Sequence, residues 1–190
     1  MSRITEAIEE AHKVDGWMSE PELQWLAEQA LDKEVVIEVG AYKGKTTVLF
    51  GNLAQKVYTV DAWEGNYFEG STKTWEYNPD GENILEIFHN NLSTLGVTGM
   101  VMPLQMRSDV AFEWLRENKI MADMIFIDGD HEFPVVQQDM VAYKTLVKPG
   151  GVYCGHDVYA WPDVESALNI VLPGWSCVPD TTIWQYDIKE

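Results

Sequence analysis

Two short stretches of this chain hold the side chains best suited to chemistry. Ile127-Asp128-Gly129-Asp130-His131 closes one apolar run, and Cys154-Gly155-His156-Asp157 closes another. Carboxylates and imidazoles together can hold a divalent cation. They can equally supply a general base, because histidine titrates near neutrality and neighbouring acids tune it. A third reading is structural, with the acids capping the helices that follow and His131 packing against them. The two runs read as strands. If they are neighbours, their tips stand about 5 Å apart. Asp128, Asp130, His131, His156 and Asp157 then converge in one polar pocket, with Asp128, His131 and Asp157 as the candidate catalytic residues.

A second group lies earlier, in Glu38-Val39-Gly40-Ala41-Tyr42-Lys43-Gly44-Lys45-Thr46. Gly40 and Gly44 allow a tight turn and a close approach of backbone to a ligand. A helix starting near Lys45 would aim its free N–H groups at that ligand. The same turn also serves as a plain strand-to-helix connection. In the three-glycine dinucleotide fingerprint, the second glycine position falls here on Tyr42. That side chain would crowd a pyrophosphate, so a ligand without phosphates fits better. Asp61 closes the next apolar run about 20 residues after Gly40, where an acid is placed to accept ribose hydroxyls. A lone aspartate at a strand end is also a common turn former.

These groups need elements to position them. Residues 2–12 read as an amphipathic helix. Ser19-Glu20-Pro21-Glu22 opens a second helix ending near Leu31, with serine at the cap and acids in the first turn. Val35–Val39 reads as a buried parallel strand. A helix over Lys45–Ala54 and a strand over Lys56–Val60 follow. Asn83–Leu95 is helical, Met100–Gln105 is a strand entered late because of Pro103, and Ser108–Glu117 is a helix capped by Ser108 or Asp109. Met124–Ile127 is a strand, Val135–Leu146 a helix, Lys148–Gly151 a turn and Val152–Gly155 a strand. Pro162–Val171 is a short helix, and Trp175–Val178 and Thr182–Tyr186 are two closing strands. Alternating strands and helices predict an α/β fold with a parallel sheet covered on both faces. Ligands bind such sheets beyond the carboxyl ends of the strands.

Residues 62–81 read as a long loop rich in aromatic residues, with Trp63, Tyr67, Phe68, Trp75 and Tyr77. Length and composition predict a lid over residues 63–80. Tyr159, Trp161 and Pro162 follow the fifth strand. Such side chains suit an apolar or aromatic acceptor, and they equally suit a small satellite core.

The 190 residues suit one domain, and the formal net charge is −18. So acidic a surface repels phosphate backbones and anionic lipid, which argues against nucleic acid and membrane partners. No apolar run approaches the roughly 18 residues of a membrane span. The acidic, amphipathic start is not a signal peptide. Two cysteines, Cys154 and Cys177, cannot build a disulfide framework, and a reducing cytoplasm is the expected compartment.

Taken in order, several segments resemble class I methyltransferases that use S-adenosylmethionine. They are Gly16-Trp17-Met18-Ser19, Val36 to Thr46, Val60-Asp61, Ile127 to His131, and Leu146-Val147-Lys148-Pro149-Gly150-Gly151 with His156-Asp157. The chain is most similar to methyltransferase family 24, related to the catechol O-methyltransferase-like enzymes. The resemblance implies a Rossmann-like, seven-stranded sheet whose last strand is antiparallel, in a single domain with residues 1–32 as a helical segment packed on it. It places Glu38, Gly40, Gly44 and Thr46 by the amino acid part of the cofactor, Asp61 at the ribose, Ser108 near the adenine and Asp128 beside the cofactor. It makes Asp128 and Asp157 metal ligands, with His156 as a third. Metal-dependent relatives usually offer an all-oxygen set, so with His156 beside the second ligand the ion is magnesium, manganese or a softer one, or there is none. Without metal, His131 is the preferred base. The implied activity is methyl transfer to a small-molecule oxygen nucleophile, with a homodimer open as the assembled form. Two rivals remain: a protein that binds S-adenosylmethionine without turnover, and a nucleotide-cofactor oxidoreductase.

Overall fold

The structure is a computed structural model that describes residues 2–63 and 82–188. The lid expected over residues 63–80 lies, except for Trp63, outside the described residues, as do Tyr67, Phe68, Trp75 and Tyr77. The chain begins with α1 (Arg3–Ala11) and α2 (Glu20–Ala30). It continues through β1 (Val35–Val39), α3 (Lys45–Leu53), β2 (Lys56–Asp61), α4 (Ile84–Thr94), β3 (Val101–Gln105), α5 (Ser108–Glu117), β4 (Ala122–Ile127) and α6 (Phe133–Lys144). β5 (Val147–Gly155), α7 (Pro162–Val171), β6 (Ser176–Cys177) and β7 (Trp184–Asp187) complete it.

The seven strands form one sheet in the order β3-β2-β1-β4-β5-β7-β6. β7 runs antiparallel to both its neighbours, and the other pairings are parallel. The Rossmann-like expectation, including the antiparallel last strand, is met. Strand order reverses between β1 and β4, and this reversal leaves a crevice at the carboxyl edge where ligands bind.

Both faces of the sheet are covered, which explains why β1 is almost wholly apolar. Val36, Val57, Met124, Phe126 and Cys154 pack with α1 to α4 on one side. Ile37, Val39, Val60, Ile125, Ile127 and Tyr153 pack on the other, with α5 to α7. Among the described residues, no helix is long and apolar enough to cross a membrane.

Four local expectations change. Lys148–Gly151 is not a free turn. It lies inside β5, where pairing jumps from Ala122↔Val147 to Met124↔Val152, so the extra residues bulge out of a continuing strand. Asp123 anchors that bulge: its carboxylate accepts from Lys148 Nζ at 2.9 Å and from the Val35 N–H at 2.9 Å. Pro103 does not delay β3, because it sits within the ladder opposite Thr59 on a strand that has a neighbour on one side only. Arg107, not Ser108 or Asp109, occupies the cap position of α5, and Asp109 pairs with the Arg107 guanidinium instead. The closing strands are shorter than expected, since Thr182 turns its N–H away from the sheet to Glu22.

Candidate active site

The turn after β1 is braced from β2. Gly40 has φ 91° and Gly44 φ 93°, both in the left-handed region that glycine enters freely. Gly40 is further constrained by its neighbour: a Cβ there would stand 2.0 Å from the Asp128 carbonyl oxygen. β1 and β4 therefore meet closely at the switch point, and Asp128 N–H donates to Val39 O at 2.7 Å. The Asp61 carboxylate accepts the N–H groups of Ala41 and Tyr42, each at 2.9 Å, and that of Trp63 at 2.8 Å. Trp63 returns the link, its indole N–H donating to Tyr42 O at 2.9 Å while its ring packs on Phe88. The sequence marked Trp63 only as part of a loop, and no local pattern announces this second brace.

Glu38 lies beneath the turn, fully buried. It accepts the hydroxyls of Thr46, of Thr47 at 2.5 Å and of Thr59 at 2.6 Å, and so ties β1 to α3 and β2. Burial pushes its carboxyl up to about 7, against the pull of the three hydroxyls and helped by the charge of Asp128. Glu38, Gly40, Gly44, Thr46 and Asp61 are thus gathered at one end of the sheet, with Thr46 facing Glu38. Ser108 heads α5 after β3. Its carbonyl accepts the Tyr143 hydroxyl at 2.8 Å, and its side chain bonds Asp139, which burial pushes up to about 7.

The two polar tips of β4 and β5 do converge. His131 Nε2 stands 3.0 Å from Asp157 Oδ2 and 3.7 Å from Asp128 Oδ1. This nitrogen is buried, yet it is aligned for a hydrogen bond with neither carboxylate. The imidazole stacks on Trp161, with ring centroids 5.1 Å apart and planes 10° apart. Asp157 adopts φ 66°, an uncommon conformation for a residue with a side chain. Burial opposes charge on His131, but Asp128 and Asp157 outweigh it and push the imidazole up to about 9. Burial raises Asp157 as well, yet His131 and His156 hold it well below the usual carboxylate range. Asp130 instead serves the local chain, accepting the Glu132 N–H at 2.8 Å.

Among the described residues, Asp128, His131 and Asp157 are the group whose donor atoms lie within 4.8 Å of one another and could hold a metal ion. This differs from the expected set of Asp128, His156 and Asp157. His156 lies 8% exposed behind the other three. Burial opposes its charge, but the carboxylates of Asp128, Asp157 and Glu22 push it up to about 12. Its Nε2 faces Glu22 Oε1 at 3.1 Å and Thr182 Oγ1 at 2.9 Å. Neither partner was singled out from sequence. Glu22 read as a first-turn acid, and the Ser-x-x-Glu capping pattern that it completes carries no hint of a distant histidine.

Beside this centre lies an open depression of about 610 Å³, lined by Trp17, Met18, Glu22, His156, Asp157 and Thr182 among others. Its size suits a small molecule.

A doubly covered sheet in this order, with a polar centre at the tips of its fourth and fifth strands, defines a Rossmann-like α/β protein of the class I methyltransferase type. A family profile described as a methyltransferase domain, that of methyltransferase family 24, matches residues 37–158, and the chain belongs to that family. It is a methyltransferase of the S-adenosylmethionine-dependent class. Solved structures share the fold at low identity. The O-methyltransferase TomG from Streptomyces achromogenes, involved in tomaymycin synthesis and solved with S-adenosylmethionine, is 14% identical with a TM-score of 0.66, covering 100% of this chain and 91% of that one. The O-methyltransferase from Bacillus cereus, in complex with S-adenosylhomocysteine, is 15% identical with a TM-score of 0.64, covering 98% and 91%. An rRNA methylase from Streptococcus thermophilus is 13% identical with a TM-score of 0.61, covering 93% and 100%. One fold thus carries different acceptors, and the acceptor must be argued from the site.

Proposed function

We propose that the protein transfers the methyl group of S-adenosylmethionine to a hydroxyl oxygen of a small molecule, at a centre formed by Asp128, His131 and Asp157. The observation that carries this reading is the buried His131 Nε2, set between two carboxylates and aligned with neither. A nitrogen so placed can offer its lone pair to a third group once the imidazole proton is lost. Two carboxylate oxygens and one imidazole nitrogen, clustered within 4.8 Å, fit a divalent cation. The chemistry of the acceptor points the same way. A hydroxyl must lose its proton to be a good nucleophile, so its methylation needs such a centre more than amine methylation does.

The roles of the chain's own residues follow. The braced turn at Gly40 and Gly44, with Asp61 beneath it, receives the amino acid and ribose parts of the cofactor, and Ser108 borders the adenine. Glu38 keeps the turn in register through its three threonines and lies beneath the bound cofactor. Asp128, His131 and Asp157 would hold the ion. A bound divalent cation would lower the pKa of the acceptor hydroxyl. The walls of the depression hold the acceptor oxygen in line with the methyl group, which converts a bimolecular encounter into a positioned one. The acceptor hydroxyl gives its proton to solvent, the new C–O bond forms as the S–C bond breaks, and S-adenosylhomocysteine leaves with a neutral sulfur. The acidic surface and the depression of about 610 Å³ favour a small acceptor over a nucleic acid. Trp17 and Met18 on its wall favour one with apolar surface.

Calorimetry with S-adenosylmethionine and S-adenosylhomocysteine, with NAD as control, tests the cofactor. Micromolar binding of the sulfur compounds alone is expected, and binding of NAD alone would replace this reading with an oxidoreductase. Methyl transfer that persists in chelator would move the proton to His131 acting as a base without metal.

A further inference from the structure

We propose that Glu22 is a positioning residue for the transfer centre, acting through His156. The inference rests on the reading of Asp128, His131 and Asp157 as that centre. Glu22 lies in the first turn of α2 and is 5% exposed. Both of its oxygens are engaged. Oε2 accepts the N–H of Ser19 at 2.8 Å and its hydroxyl at 2.7 Å. Oε1 accepts the N–H of Thr182 at 2.9 Å and its hydroxyl at 3.0 Å. The same Oε1 faces His156 Nε2 at 3.1 Å.

A helix cap accounts for the Ser19 half of this arrangement. The other half contributes nothing to the helix. Burying a carboxylate is expensive unless it is paired, and this one is spent on the imidazole and on the turn beside it. The consequence lies on the far side of the ring. His156 Nδ1 faces Asp128 Oδ1 at 3.5 Å and Asp157 Oδ1 at 3.3 Å. A half-turn of the imidazole would exchange Nδ1 for a carbon and present C–H to both carboxylates. With Nε2 held between Glu22 and Thr182, that half-turn is closed off. Glu22 therefore fixes the face His156 shows to two of the three residues of the centre. Groups placed behind a binding set in this way govern its geometry.

The test separates positioning from capping. Glu22→Gln keeps the shape of the side chain, but its amide cannot accept from both Ser19 and Thr182, and it carries no charge toward His156. Ser19→Ala removes one cap bond and leaves His156 untouched. In protein labelled with ¹⁵N-histidine, Glu22→Gln is expected to shift the ring nitrogen signals of His156, and Ser19→Ala is not. Titration with Mn²⁺, read by electron paramagnetic resonance, is expected to show about 10- to 100-fold weaker binding for Glu22→Gln. Ser19→Ala should stay within about twofold of the unmodified protein, and S-adenosylmethionine affinity should be unchanged in both. In a His156→Gln background, Glu22→Gln should weaken Mn²⁺ no further, because the two act as one unit. Unchanged His156 signals in Glu22→Gln would overturn the proposal, as would equal Mn²⁺ losses in Glu22→Gln and Ser19→Ala. If the unmodified protein binds no Mn²⁺, the ion reading of the centre fails by itself, and the histidine spectra still decide whether Glu22 fixes the ring.

Discussion

The Asp61 carboxylate holds the Tyr42 backbone N–H at 2.9 Å, so the tip of β2 fixes the shape of the turn at the tip of β1. Asp61→Ala orphans the N–H groups of Ala41, Tyr42 and Trp63, at about 1–3 kcal/mol for each one left buried without a partner. The variant should melt at lower temperature and bind S-adenosylmethionine at least about tenfold more weakly. Unaltered affinity in calorimetry would separate the brace from the cofactor site.

Gly40 and Gly96 provide a matched pair of substitutions. Both have positive φ, but a Cβ at Gly40 meets the Asp128 carbonyl at 2.0 Å, whereas one at Gly96 meets nothing within 4 Å. Gly96→Ala should cost about 1 kcal/mol of backbone strain. Gly40→Ala adds overpacking to strain and should cost about 3 kcal/mol or more, or fail to give folded protein. Equal midpoints in urea would contradict the close approach of β1 to β4.

Glu38 makes stability depend on pH. Its folded pKa of about 7 lies above the ordinary value of 4.5, so the folded state holds this proton more tightly than the unfolded state does. The stabilisation is complete below about 4.5 and is lost as pH rises through about 7. Glu38→Gln cannot ionise, so it should flatten that part of the stability profile. Urea midpoints from pH 4.5 to 8 would reveal the difference, and parallel curves for the two proteins would show that Glu38 is ionised throughout.

The sheet was readable because its strands are apolar runs closed by glycine or aspartate, and because helices separate them. Pairing of Asp128, His131 and Asp157 was also accessible, since neighbouring parallel strands must bring their tips together. Orientation was not. Which nitrogen each ring turns toward the two aspartates depends on Trp161 stacking against His131 and on Glu22 and Thr182 holding His156. Those contacts are non-local, and no periodicity encodes them. The bulge in β5 was hidden for a different reason. Pro149-Gly150-Gly151 looks the same locally whether it ends a strand or interrupts one.

Asp128→Asn should leave S-adenosylmethionine affinity within a few fold of the original and reduce methyl transfer at least about a hundredfold. It removes a charge from the centre, while the Asp128 backbone that touches Gly40 stays in place. Transfer of label from S-adenosylmethionine to a panel of hydroxylated small molecules would measure it. Undiminished transfer would displace the chemistry from this aspartate.

The hydrogen bond from the Thr182 N–H to Glu22 joins residues 160 apart. On the ribosome, Glu22 is made 160 residues before the partner that closes this bond. A nascent chain stalled before Thr182 already carries Glu22 and His156, but it lacks the Thr182 hydroxyl that shares the ring's Nε2 with Glu22. The hold on His156 is therefore complete only once Thr182 has folded back onto α2.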